Sequence, residues 1–224
     1  MKGILTAYLP GILRRPVFEP EQYRGETVVL VHGLLHRSWR MMDLGQWLCG
    51  QGYRVYVYDY PTSRRLIPEM GRELAGFLRQ VVAAEAPENR ITLISHSMGG
   101  LLLRTALAED CIPPERRGCW IMLGTPNGGS PVARKVIRDL FFAPYLVRPL
   151  TALSRPAKDL PVPEGWRVHV VAGKWDRKVP PRSAHYAGET SYFVAQCRHS
   201  RMMDHPEVRG KIMEILSAEE KKWK

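Results

Sequence analysis

Apolar runs and the polar stops between them divide this chain into alternating strands and helices. The first firm run, Thr27-Val28-Val29-Leu30-Val31, is β-branched and continuously apolar, which predicts a strand buried on both faces of a parallel sheet. It stops at His32-Gly33-Leu34-Leu35. A helix is then predicted from a Ser38 cap through Trp39, Met42, Trp47 and Leu48, stopping at Gly50 and Gly52. Tyr53 to Tyr58 form the second strand, closing at Asp59-Tyr60-Pro61. Pro68 opens a helix to about Ala86, with Leu74, Leu78, Val81 and Val82 on one stripe. Ile91 to Ile94 form the third strand, and its helix runs from Met98 to about Glu109. Cys119 to Leu123, Arg167 to Ala172 and Ser191 to Ala195 supply three more strands, and a last helix begins near Pro206. The alternation predicts an α/β fold, a mostly parallel sheet of about six strands with helices on both faces. At 224 residues a single domain is expected.

Two stretches break the rhythm. Residues 1–25 are rich in proline and lack a period, and would pack across the sheet or touch a membrane surface. Residues 131–163 are too long for a simple connector and are densely apolar through Phe141, Phe142, Tyr145, Leu146, Val147, Leu150 and Leu153. They form either a helical cap over a substrate site or plain cover for the sheet, and the sequence alone leaves both open.

One junction carries chemistry. The third apolar run ends abruptly in Ser95-His96-Ser97-Met98-Gly99-Gly100, and a helical run follows. This is the layout of a nucleophile elbow, where a strand turns sharply into a helix with a serine at the tip. The turn strains the serine and brings the residues two before and two after it together, so both must be small. Here they are Ser95 and Gly99, with serine in place of the usual first glycine of G-x-S-x-G. The same turn aims the Met98 amide at whatever Ser97 attacks. Ser95 is the rival nucleophile, but the glycine pair falls at the wrong offset for it.

Composition changes the picture little. Hydrophobic residues at 45% and charged ones at 25% are ordinary for a chain with a full core. The 33 Lys and Arg against 22 Asp and Glu give a formal charge of +11, which favours anionic partners and raises peripheral contact with an anionic membrane surface. The basic residues are dispersed and no nucleic-acid-binding signature accompanies them, so no nucleic acid partner is expected. Cys49, Cys111, Cys119 and Cys197 lack C-x-x-C spacing and read as free thiols of a cytoplasmic protein. The N-terminus reads as no signal peptide, and no apolar run reaches transmembrane length. No metal-ligand spacing or phosphate-loop motif is present, and no cofactor is expected.

The polar residues at strand ends now fall into an order: His32-Gly33, Ser97, Gly124-Thr125-Pro126-Asn127-Gly128-Gly129-Ser130, Gly173-Lys174-Trp175-Asp176, and His199-Ser200-Arg201-Met202-Met203-Asp204-His205. In this the chain resembles the α/β-hydrolases, in particular small bacterial lipases and esterases, over roughly residues 26–216. The resemblance implies a minimal α/β-hydrolase fold and the chain order serine, acid, histidine, met by Ser97, Asp176 and His199. A serine hydroxyl needs a base with pKa near 7, and the base needs a carboxylate to fix its tautomer. Of the seven histidines, His32 belongs to the oxyanion turn, His96 flanks the serine and His169 lies in a strand. His36 and His185 precede no matching element. His199 lies in the loop before the last helix, where the family places its base, and His205 is set to start that helix. Asp159, Glu189 and Asp204 are the rival acids, less well placed than Asp176.

By the same resemblance the oxyanion hole uses the backbone N–H groups of Leu34 and Met98. His32-Gly33 is also compatible with a bare strand-end turn containing a glycine at positive φ. His32, Gly33, Phe141 and Phe142 are expected to contact the substrate. The implied reaction is hydrolysis of carboxylic esters, lipidic or otherwise hydrophobic. Acyl transfer or thioester cleavage on the same residues, and a catalytically silent basic binding module on the same fold, are the alternatives.

Overall fold

The computed structural model describes residues 18–35 and 39–222. Six strands form one parallel sheet: β1 (Glu26–Val31), β2 (Arg54–Tyr58), β3 (Arg90–His96), β4 (Arg117–Leu123), β5 (Arg167–Gly173) and β6 (Ser191–Ala195), in the order β2-β1-β3-β4-β5-β6. The helices between and after them are α1 (Trp39–Gly50), α2 (Ile67–Ala84), α3 (Met98–Leu107), α4 (Pro131–Asp139), α5 (Ala143–Leu146), α6 (Leu150–Leu153), α7 (Pro181–Ala184) and α8 (Pro206–Glu220).

The two faces of the sheet separate by the period of two expected of a strand. Val29 and Val31 face one core with Leu74, Leu78, Leu101 and Leu102 of α2 and α3. Val28 and Leu30 face the other with Leu44, Leu48, Ile212 and Leu216 of α1 and α8. Both faces are therefore covered, which is why the strands read as unbroken apolar runs and not as alternating ones.

The expected elements are all present, with small differences at their ends. Helix α2 stops at Ala84 and not near Ala86, because Pro87 drives the residue before it out of the helical region. The backbone is already extended at Glu85, whose carboxylate accepts hydrogen bonds from Tyr56 Oη at 2.8 Å and Arg54 Nη1 at 2.9 Å. The proposed Ser38 cap, His36 and most of the proline-rich N-terminal stretch lie outside the described residues. Where that stretch enters the structure, Phe18 pairs antiparallel with Val55 on the edge strand β2, through N···O contacts of 3.2 and 3.1 Å. Residues 131–163 hold three helices, α4 to α6.

The chain steps from β1 outward to β2 and then back across β1 to β3. This reversal opens a crevice beyond the carboxyl ends of β1 and β3, the place where open α/β sheets bind ligands.

Candidate active site

Ser97 sits at the tip of the turn from β3 into α3, with φ 54° and ψ −125°. Such a conformation costs a non-glycine residue about 1–3 kcal/mol and persists only where its surroundings impose it. They do so here. Ser97 N donates to Leu123 O at 2.9 Å, tying the tip to β4. A Cβ on Gly99 would lie 2.5 Å from Val31 O and 2.6 Å from His32 O, and one on Gly100 only 2.1 Å from Thr125 Oγ1. Both glycines are thus required by the close approach of α3 to the end of β1 and to the β4 loop. At the other small position, buried Ser95 accepts a hydrogen bond from Trp120 Nε1 at 3.0 Å. Its hydroxyl replaces a glycine hydrogen and finds a partner, which explains how the elbow tolerates the substitution.

The turn after β1 packs directly on the elbow. A Cβ on Gly33 would fall 2.9 Å from Ser97 Cβ and 3.2 Å from His96 Nδ1. The alternative of a bare turn with this glycine at positive φ does not apply: Leu35 takes the left-handed conformation, with φ 55°, and Gly33 is needed for clearance. His32 is fully buried, its ring stacked 4.3 Å from Tyr60 and its Nε2 3.2 Å from Asp59 Oδ1. Tyr60 Oη donates to His32 O. Neither His32 nor Gly33 lines the cavity described below. They shape the turn from behind, because a buried imidazole with two neighbours in place has no face left for a ligand. Leu34, by contrast, lines the cavity, and Met98 opens α3, where first-turn amides have no intrahelical acceptor.

Asp176 and His199 meet, brought together by loops after β5 and β6. Asp176 is buried, and its Oδ1 accepts backbone hydrogen bonds from Lys178 N and Val179 N, each at 2.8 Å. Its Oδ2 lies 2.5 Å from His199 Nδ1. Gly124, at φ 58°, leaves room for this pair: a Cβ there would stand 3.2 Å from His199 Nδ1. The imidazole is held from the other side as well, since His96 Nε2 donates to His199 O at 3.1 Å and the two rings lie 4.7 Å apart. The rivals are elsewhere. His205 precedes α8 as its N-cap residue, Asp204 pairs with Arg201, His169 contacts Ser191 and Glu219, and His185 stacks on Tyr192. His36 lies outside the described residues.

Ser97, His199 and His96 line one cavity of about 520 Å³. Most of its remaining wall comes from residues 131–163, including Val136, Leu140, Phe142, Leu146 and Leu150. Phe142 is part of this wall. Phe141 is not: it is 82% exposed and absent from the wall, because consecutive side chains at this bend diverge. The segment is thus wall as well as cover.

Two contributors were not legible in the chain. Ser130 lines the cavity, donates from Oγ to Lys178 O at 2.7 Å and accepts from Ala133 N at 3.2 Å as the cap of α4. A serine directly before Pro131 is a helix-start signal, but its link to the loop of Asp176 depends on tertiary approach. Thr62 Oγ1 accepts from Leu35 N at 3.0 Å and fixes the left-handed residue of the β1 turn. Among the described residues no three His, Cys, Asp or Glu side chains group as metal ligands.

A serine on a strained turn, an imidazole whose Nδ1 faces a buried carboxylate, and helix-start amides nearby are the parts that acyl transfer needs. Comparison with known proteins agrees in kind. A model of the Alpha/beta hydrolase family matches residues 28–209. Methylesterase 3 of Arabidopsis thaliana is 31% identical over 99 residues, 42% of this chain and 37% of that protein. A triacylglycerol lipase of Burkholderia plantarii is 28% identical over 145 residues, 58% of this chain and 37% of that protein. These matches span little over a third of the length of either relative. Among solved structures, the mature Bacillus licheniformis lipase BlEst2 superposes with a TM-score of 0.77 at 18% identity, over 93% of this chain and 99% of that one. The Paleococcus ferrophilus monoacylglycerol lipase gives 0.59 at 18% identity, over 89% and 96%. At such identities the likeness is one of fold.

Proposed function

The chain belongs to the alpha/beta hydrolase family, and from that premise we propose that it is a serine hydrolase cleaving carboxylic esters with lipidic or hydrophobic acyl groups. Ser97 Oγ attacks the carbonyl carbon while His199 Nε2 takes the hydroxyl proton. The oxyanion accepts hydrogen bonds from the Leu34 and Met98 amides, donors that strengthen as charge develops. The tetrahedral intermediate collapses, His199 returns the proton to the leaving alcohol, and an acyl-Ser97 ester remains. Water, deprotonated by His199, then attacks that ester and releases the acid. Asp176 holds His199 Nδ1–H and stabilises the imidazolium throughout. Besides substrate and water, the steps draw on the chain's own residues.

One observation carries this reading: Asp176 Oδ2 stands 2.5 Å from His199 Nδ1, and His199 shares a cavity with strained Ser97. The apolar wall supports a hydrophobic acyl group, since each buried methylene contributes about 0.8 kcal/mol. The test is a screen of chromogenic esters of increasing chain length with Ser97→Ala as blank. Turnover equal in the two proteins rules the reading out.

The surface beside the cavity supports a peripheral membrane contact. Phe141, Tyr145 and Leu146 are 82%, 84% and 67% exposed in one short stretch, on a chain of formal charge +11. Exposed aromatics of this kind insert at the headgroup level, and the positive field draws the protein to anionic lipid. No helix among the described residues is long and apolar enough to cross a membrane.

A further inference from the structure

The residues lining the cavity include one that is permanently charged, and it is a cation. Lys178 is exposed and lines the cavity, which places it at the rim, and no Asp or Glu is among the lining residues. The carboxylate nearest in sequence, Asp176, is turned away from the cavity. Its oxygens are taken by His199 Nδ1 and by the Lys178 and Val179 amides. Three other surface lysines meet carboxylates: Lys135 with Asp139, Lys211 with Glu214 and Lys222 with Glu219. Lys178 has no such partner among the described residues.

Its position is also fixed. Lys178 N–H is held by Asp176 Oδ1 and Lys178 C=O by Ser130 Oγ, so the stem of the side chain leaves a pinned backbone two residues from the acid. A cation on the rim of an apolar cleft, with low-dielectric walls to focus its field, attracts negative charge more than an isolated surface lysine does.

Resting on the ester-hydrolase reading, we propose that Lys178 recognises an anionic group at the cavity mouth. The preferred substrates are then amphiphilic esters, with an apolar acyl chain in the cavity and a carboxylate or phosphate on the alcohol side. The anionic group sits away from the reacting carbonyl and is bound alike in ground and transition states. It therefore acts on KM and leaves kcat unchanged. Cationic alcohols are disfavoured by the same charge.

The decisive measurement uses octanoyl esters of four small alcohols, followed by octanoate release: propanol, 3-hydroxypropionate, 3-hydroxypropyl phosphate and choline. The expected order of kcat/KM is phosphate and carboxylate above propanol above choline, with about three- to tenfold between steps, set by KM and flattened by salt. Lys178→Gln compresses the order and Lys178→Glu reverses it. Lys211→Glu, which changes net charge equally on α8, leaves it intact. An order unchanged in Lys178→Glu, or altered as much by Lys211→Glu, overturns the proposal and returns the effect to overall charge. A carboxylate preference without a phosphate preference confines the ligand to carboxylates, and the reverse confines it to phosphates. A binding arm needs no turnover: in Ser97→Ala, dodecanoate and dodecyl phosphate should displace a fluorescent apolar probe at lower concentration than dodecyltrimethylammonium does. That difference should vanish on adding Lys178→Glu. If no ester is cleaved above the Ser97→Ala blank, the hydrolase reading fails while the binding arm still decides the role of Lys178.

Discussion

Replacing Asp176 by Asn should lower turnover sharply while leaving the fold in place, and the reason lies in two backbone amides. Asp176 Oδ1 accepts from Lys178 N and Val179 N, and Oδ2 faces His199 Nδ1. An asparagine amide has one oxygen, and the two backbone donors claim it. Its NH2 group then points at His199 Nδ1, which must become an acceptor. The ring proton moves to Nε2, the atom that has to receive the proton of Ser97. The productive tautomer requires the amide to flip, which leaves the part-buried Lys178 N–H and the buried Val179 N–H without acceptors at about 1–3 kcal/mol each. A total of about 2–6 kcal/mol lowers the productive population by roughly 30- to 10⁴-fold. The upper end matches the drop of about 10⁴ known for the same change in a serine protease triad. The assay is kcat on the best ester from the chain-length screen, with circular dichroism to verify folding. A folded Asp176→Asn protein within a factor of about three of wild-type kcat would refute the assigned base and its orientation.

Three further outcomes are expected. Ser97→Ala should lose on the order of 10⁴-fold or more in kcat, and a serine-directed phosphonate should label Ser97 alone; label on Ser95, buried under Trp120, would contradict the elbow assignment. Phe142→Ala should extend the preferred acyl chain, with the wild-type profile climbing about fourfold per carbon until the cavity is full. Phe141→Ala should leave that profile alone and weaken sedimentation with anionic vesicles at low salt, so a shift of chain preference by Phe141→Ala and not by Phe142→Ala would reverse the two roles. Burial pushes the Glu26 carboxyl up to about 7, above about 4.3 in an unfolded chain. Between those values the folded protein binds more protons than the unfolded one, so stability falls as pH rises through the window. Glu26→Gln retains an acceptor for Thr92 Oγ1 and should add on the order of 2 kcal/mol at pH 8 but little at pH 4. Equal changes in melting temperature at the two pH values would count against the buried charge.

How much of this was readable in the chain depends on how local each cause is. The strands were legible because burial on both faces demands uninterrupted apolar runs, as at Thr27 to Val31. The elbow was legible because a turn of that shape excludes side chains at fixed offsets, and Gly99 meets Val31 O just as the offset requires. The preference for His199 over His205 rests on chain order and on the loop where the resembled family places its base, and the structure sets His199 beside Asp176. What failed were statements about orientation within a correctly placed stretch. His32-Gly33 was expected to touch substrate, but whether a turn presents its front or its back depends on Tyr60 and Asp59, some 27 residues away. Phe141 and Phe142 are indistinguishable by composition, and only the bend after α4 separates them.

The cavity also joins two kinds of structure whose tolerances differ. Its floor, Leu34, Ser97 and His199, rests on strand ends whose spacing the parallel register of β1, β3 and the strands beyond holds constant. Its wall rests on α4 to α6, fastened mainly at the ends. Ser130 N donates to Leu153 O at 2.7 Å, Gly128 N donates to Ser183 O at 2.7 Å, and the Arg104 guanidinium holds Leu160 O and Pro161 O. Between these fasteners, the backbone bonds of residues 140–146 are local, from Ala143 N to Leu140 O and from Tyr145 N to Phe142 O. Substitution in that middle stretch changes the shape of the wall without pulling on Asp176. Ser130 is different, because one hydroxyl both caps α4 and holds the Lys178 carbonyl, and Lys178 N–H holds the acid. Under the proposed ester hydrolysis, acyl preference is therefore free to vary through residues 140–146 while the Asp176–His199 geometry stays constant, and the two become coupled where the wall begins.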